Sequence, residues 1–179
     1  PELSKIAANG GKILFVGTKK QMKEAVKTAA ESVNMPYVTV RWVGGTLTNA
    51  TTFGRQIQKL KDLERRMKSG ELEARYSKLE VQRFQEEIDA MNELYGGVKD
   101  MDKQPAALVI VDAIVDKNAI KEANKLKIPT FALCDTNVDP TSVKHCIPAN
   151  DDSIKATSLI LGYITEAIKA GQKQTSQAN

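Results

Sequence analysis

Three short, uninterrupted apolar runs constrain this chain most: ILFV at 13–16, ALVIV at 107–111 and FALC at 131–134. A strand that is apolar on both sides needs cover on both faces. In a soluble protein that means a parallel sheet sandwiched between helices. The segments between the runs fit this demand. Residues 12–17 are followed by TKKQMKEAVKTAAESV, in which Met22, Val26, Ala29, Ala30 and Val33 form one apolar face. Thr18 and Gln21 have the spacing of a capping box at its start. Residues 37–42 form a second strand, rich in β-branched and aromatic side chains. Strand, helix and strand make a βαβ unit, with the right-handed crossover such units prefer.

The alternation stops at residue 49. Residues 49–95 hold no strand-like run. Phe53, Ile57, Leu60, Leu63 and Met67 recur at helical spacing, Ser69-Gly70 is a stop, and Ser77 with Glu80 is a second capping box. Phe84, Ile88, Met91 and Tyr95 continue the pattern to Gly96-Gly97. Two narrow apolar stripes predict an antiparallel, coiled-coil-like hairpin inserted between strands. Its first arm is basic: residues 41–70 carry seven basic side chains against two acidic ones. Residues 71–102 carry four against nine. Opposite charges beside the stripes are expected to favour this pairing and register.

The α/β pattern then resumes. Strands are expected at 107–112 and 130–135, with a helix capped by Asp116 between them. HCIPA is a short edge strand because of Pro148. The last helix spans 150–171, with Asn150 or Asp151 as its cap. The expected fold is a doubly wound, mostly parallel five-stranded sheet with an inserted helical hairpin. The core comprises 1–48 and 96–171, the hairpin 49–95, and a disordered tail 172–179.

Composition excludes several classes of function. No run is long and apolar enough to cross a membrane, and PELSKIAANGG lacks the pattern of a secretory leader. Two cysteines are too few for a disulfide framework. The single histidine, His145, stands beside Cys146 without the further ligands a zinc site needs. The same shortage leaves no Ser/His/Asp or Cys/His constellation. The net charge of +4 points to an anionic partner.

Ligands of such sheets sit beyond the C-terminal strand ends. After the first strand, GTKKQ offers a helix start with Lys19 and Lys20 but no nucleotide fingerprint. Asp112, Asp116, Asp135 and Asp139 stand near other strand ends, where helix capping and turns account for them. A small α/β nucleotide- or metal-binding regulator or enzyme working at Thr18, Asp112 and Asp135 is the alternative function. The Gly-rich RWVGGTLTN, 41–49, poses a related question: whether its glycines cradle a phosphate or turn the chain.

Several ordered stretches resemble one family. GGKILFVGTKKQ is similar to its first strand and turn, and RWVGGTLTN with the basic helix after it is its most recognisable segment. From Pro105 through Asp112, Asp116, Ile120 and Glu122 to KIP the chain matches the family signature, and DTNVDP and IPANDDS continue it. The resemblance, over about residues 5–171, is to the bacterial-type second protein of the small ribosomal subunit, the ribosomal protein "S-two" family. It implies a flavodoxin-like core with a hairpin insertion and a non-enzymatic role, without cofactor, metal or small-molecule substrate. It implies binding to 16S-type ribosomal RNA near the junction of head and body. The implied protein partners are neighbouring ribosomal proteins, including the large RNA-binding protein "S-one". The implied location is a bacterial ribosome in the cytoplasm, an organellar ribosome being the other setting. Members usually begin with a further segment containing a His-Phe-Gly-His-like stretch. This chain starts at Pro1, so truncation at the N-terminus is expected, with loss of that segment's contacts.

RNA binding needs exposed cations for phosphates and no active site. The candidates are Lys19, Lys20, Arg41, Asn49, Arg55, Lys59, Arg65 and Arg66. Gly44-Gly45 is expected to turn the chain out of the sheet, with Thr48 or Asn49 capping the basic arm. Trp42 is expected to anchor the core or the hairpin base, stacking on a base being the other reading.

Overall fold

The computed structural model describes residues 1–136, 138–150 and 152–177. Five strands, β1 (Ile13–Val16), β2 (Tyr37–Val38), β3 (Ala107–Ile110), β4 (Thr130–Cys134) and β5 (His145–Pro148), form one sheet in the order β2-β1-β3-β4-β5. Every pairing is parallel, with Ile13 beside Ala107 and Val16 beside Ile110 at the centre. Alternate residues of the apolar runs serve opposite layers. Ile13, Phe15, Ala107, Val109 and Phe131 pack with α1 (Glu2–Ala8), α2 (Lys23–Ser32) and α7 (Ile154–Gln177). Leu14, Val16, Leu108, Ile110 and Ala132 pack with α6 (Lys117–Lys125), Trp42, Leu47 and Val98.

The elements depart from expectation where a distant partner decides. The second strand ends at Val38 rather than Trp42, because Val38 already meets the end of β1 and its carbonyl accepts from Gly17 N–H. The capping box at Thr18 and Gln21 does not form. A one-turn 3-10 helix, Lys20–Met22, precedes α2, and Thr18 bonds elsewhere. Helix α1 is an element the apolar pattern does not announce. It is short, lacks a side-chain cap and is held by α7: a Cβ on Gly171 would lie 2.1 Å from the Ser4 carbonyl oxygen. At the sheet edge the His145 ring lies flat on Phe131, centroids 4.3 Å apart, with Nε2 2.7 Å from a Glu2 carboxylate oxygen.

Helix α7 begins behind Ser153, whose Oγ accepts from Ala156 N–H, rather than at Asn150, whose side chain accepts from Asp152 N–H. The other expected cap, Asp151, lies outside the described residues. The helix does not stop at Gly171 but continues to Gln177. Gln172 donates to the Val33 carbonyl at 2.8 Å, so the expected disordered tail is helical through 172–177. Residues 178 and 179 lie outside the described residues.

The hairpin consists of α3 (Ala50–Lys68), the single-turn α4 (Glu71–Arg75) and α5 (Lys78–Tyr95). Gly70, at φ +75°, turns the chain between α3 and α4. The second capping box forms: Ser77 accepts from Glu80 N–H, and the Glu80 carboxylate accepts from Ser77 N–H at 2.9 Å. Leu60, Leu63, Ile88 and Met91 bury the stripe between the arms, and Phe53 meets Tyr95 edge-on at the base. The charge blocks contribute less to this pairing than their sequence suggests. Among the described residues, Lys59–Glu87 is the one ion pair joining α3 to α5. Arg65 turns back to Asp62, and Arg66 to Asp62 and Glu71. Apolar packing therefore sets the register, since exposed pairs contribute about 0–1 kcal/mol each.

The hairpin returns to the sheet at Gly97, whose carbonyl accepts from Tyr37 N–H. A Cβ there would lie 2.2 Å from the Tyr37 carbonyl oxygen. Gly97→Ala is therefore expected to destabilise the protein by about 1–3 kcal/mol in urea unfolding. An unchanged midpoint would show that the hairpin base is not held against β2.

Candidate nucleic-acid interface

Between β2 and α3 the chain has little ladder to bond to, and one carboxylate replaces it. Glu122, on α6, accepts at Oε1 from the Trp42 indole N–H (3.1 Å) and Gly45 N–H (2.7 Å). At Oε2 it accepts from Leu47 N–H (3.0 Å), Thr48 N–H (3.1 Å) and the Thr48 hydroxyl (3.1 Å). Gly45 adopts φ +89°, which an L side chain would resist, and so aims its N–H inward. The Gly-rich loop is thus a cradle for an anion, and the anion is the protein's own. Burial pushes the Glu122 carboxyl up. Hydrogen bonds from Gly45, Trp42, Leu47 and Thr48 outweigh it and hold the group below the usual carboxylate range.

Glu122 is seated by the buried face of α6, on which Ala119, Ile120 and Ala123 are nearly inaccessible to solvent. Sequence reasoning passed over it as a fixed position of a signature. Its place beside that apolar face was the available signal. Trp42 is buried and bonded to it, which makes the indole a core anchor.

At the strand ends the candidates are also engaged internally. The Thr18 hydroxyl donates to Asp116 Oδ1 (2.8 Å) and Thr18 N–H to Oδ2 (3.2 Å), so Asp116 stands at the start of α6 without capping it. Burial raises the Asp116 pKa, against these two hydrogen bonds, and the neighbouring Asp112 charge adds to the rise. Asp112 accepts from Ile114 and Val115 N–H groups and from Lys19 Nζ (3.3 Å), which also meets Asp152. Asp135 accepts from Thr136 N–H, and Asp139 from Thr141. The carboxylates named for the alternative nucleotide or metal reading are thus each hydrogen-bonded within the protein.

The eight candidate residues fall into two groups. Lys19 lies between carboxylates, and Asn49 caps α3 by accepting from Thr52 N–H. Lys59, Arg65 and Arg66 are ion-paired along the hairpin. Lys20, Arg41 and Arg55 are exposed, and their side chains make no ion pair among the described residues. Arg41 directly precedes the buried Trp42, and Arg55 lies in the second turn of α3 behind the Asn49 cap. The clamped loop therefore fixes the backbone on which both guanidinium groups stand.

Two comparisons bear on what this surface serves. The family model for ribosomal protein S2 matches residues 2–171. A small ribosomal subunit protein uS2 from Fusobacterium nucleatum subsp. nucleatum is 45% identical over 172 residues, covering 96% of this chain and 70% of that protein.

The Glu122 clamp gives a pH dependence of definite sign. A native pKa below the unfolded value of about 4.3 means that the carboxylate stabilises the fold above that value. The contribution is lost as pH falls through the native pKa. Glu122→Gln is expected to destabilise by about 2–4 kcal/mol near neutral pH. Urea unfolding across the acid range should show the gap from the unchanged chain narrowing below about pH 4. A gap independent of pH would contradict the ionic account.

Proposed function

The chain belongs to the ribosomal protein S2 family, and on that premise we propose that Arg41, Arg55 and Lys20 contact phosphates of small-subunit ribosomal RNA. The protein is a structural, non-enzymatic constituent of the small ribosomal subunit. Its partners are ribosomal RNA and neighbouring ribosomal proteins. The observation that carries the assignment of residues is the contrast between cations ion-paired along the hairpin and the cations Lys20, Arg41 and Arg55, which form no ion pair among the described residues. Cations without an internal ion pair give up only hydration and side-chain freedom when they meet a phosphate, not a carboxylate partner.

Lys59, Arg65 and Arg66 would first have to exchange a carboxylate for a phosphate. They serve as secondary contacts, and Lys19 and Asn49 hold the surrounding backbone. The hairpin 49–95 acts as a unit projecting from the α/β core of 1–48 and 96–171. "S-one" is among the neighbouring proteins on the strength of the family resemblance. The exposed Leu159 and Tyr163, one turn apart on α7, are apolar side chains suited to a protein contact. The setting is the ribosome of the bacterial cytoplasm.

Binding to small-subunit ribosomal RNA, measured against salt, tests the reading. Affinity should fall linearly on logarithmic axes. Arg41→Ala and Arg55→Ala should each reduce the slope by roughly one ion. Lys59→Ala should change it less, because Glu87 already neutralises that charge. A slope that none of these substitutions moves would sink the assignment.

A further inference from the structure

We infer that Glu122 is a positioning residue for RNA binding: its carboxylate pre-sets the 42–48 loop so that Arg41 and the start of α3 are held in their binding arrangement before RNA arrives. The inference rests on the reading of Arg41 and Arg55 given above. Glu122 touches no phosphate in this account, since its charge would repel one.

Five donors from a seven-residue span converge on this group. The donors lie 74 to 80 residues away from it in sequence. The loop's own bonds are local. Thr46 N–H and hydroxyl reach the Val43 carbonyl, and Asn49 N–H reaches the Gly45 carbonyl. Such turns shape the loop, and the buried Trp42 and Leu47 side chains anchor it to the core. Glu122, seated by α6 beside buried Ala119, Ile120 and Ala123, adds the polar tie that gathers the backbone between those two anchors.

Both ends of the span then matter for binding. Trp42, held through its indole N–H, is the residue after Arg41. Thr48, held through N–H and hydroxyl, is the residue before the Asn49 cap. Without the carboxylate these donors would lose their common acceptor, and the backbone between the Trp42 and Leu47 anchors would regain freedom. RNA would then have to order the loop itself, at the expense of affinity. A carboxylate that merely stabilised the fold would predict the same loss of stability but no coupling to Arg41.

The test is a double-substitution cycle on RNA affinity, in buffer where circular dichroism shows every variant folded. In the unchanged chain Arg41→Ala should weaken binding by roughly tenfold and lower the salt slope by about one ion. In a Glu122→Gln background the same substitution should weaken it by less than about twofold, a non-additivity expected of coupled groups. Glu122→Gln alone should already lower the slope.

Gly171→Ala strains the opposite layer, against the Ser4 carbonyl, and should leave affinity and slope unchanged. Should Glu122→Gln fail to fold, Trp42→Phe removes one donor while keeping an aromatic side chain, and its cycle with Arg41→Ala decides. Additive effects, or a salt slope unaltered by Glu122→Gln or Trp42→Phe, overturn the inference while leaving the RNA contacts standing. Absence of salt-dependent binding in the unchanged chain, or an inert Arg41→Ala, overturns the underlying reading and the inference with it.

Discussion

Burial of β1 and β3 on both faces is the constraint from which the rest of the structure follows. All eight residues of these strands are inaccessible to solvent. Such strands cannot exist without two covering layers, and burial of this apolar surface is the main source of stability. Alternation along each strand then fixes which residue faces which layer, and the layers take up α1, α2 and α7 on one side and α6 on the other. What the sandwich leaves for recognition are its strand-end loops and anything that projects from it. The 39–49 loop and the helical hairpin are one of each.

Charge is handled in a way the linear sequence does not convey. The abrupt change from a basic to an acidic block suggests two arms held by their charges, yet most pairs close within a turn or between neighbouring turns. Glu64 shows the alternative. Hydrogen bonding from Asn92 lowers its pKa against burial, and Lys99 from beyond the hairpin adds to the effect. These local closures leave the apolar stripe to align the arms. They also distinguish engaged cations from those still available to a polyanion. Longer-range attraction by the whole basic arm survives such pairing, though salt screens it.

Much of the fold was legible because its signals are periodic and local. Apolar runs gave the strands, three-and-four spacing gave the hairpin, and Ser77 with Glu80 gave the start of α5. The losses share one cause. Thr18 has the spacing of a cap but bonds to Asp116, and Asp116 has the position of a cap but bonds to Thr18. Each residue's local promise is overridden by a partner about a hundred residues away in sequence. Helix α1 and the extension of α7 beyond Gly171 depend on each other and on Val33, so neither segment announces itself alone. At the candidate site, Arg41 and Arg55 stand as proposed contacts, and the Asn49 cap of α3 was legible by residue type. Glu122 was not, because a glutamate on a short helix looks like a solvent-facing residue until the loop that bonds to it is placed.

The occupied cradle also bears on selectivity among anions. Backbone N–H groups gathered around a glycine turn would ordinarily attract inorganic phosphate or the triphosphate of a nucleotide, both abundant metabolites. Here a tethered carboxylate, present at very high effective concentration, keeps that place filled. At this loop, small anions are left with the surface cations Arg41 and Arg55 rather than with a backbone cradle. A polymer that engages both cations at once gains from multivalency. On the proposed RNA-binding reading, the filled cradle therefore favours a long polyanion over a monomeric one without any base being read.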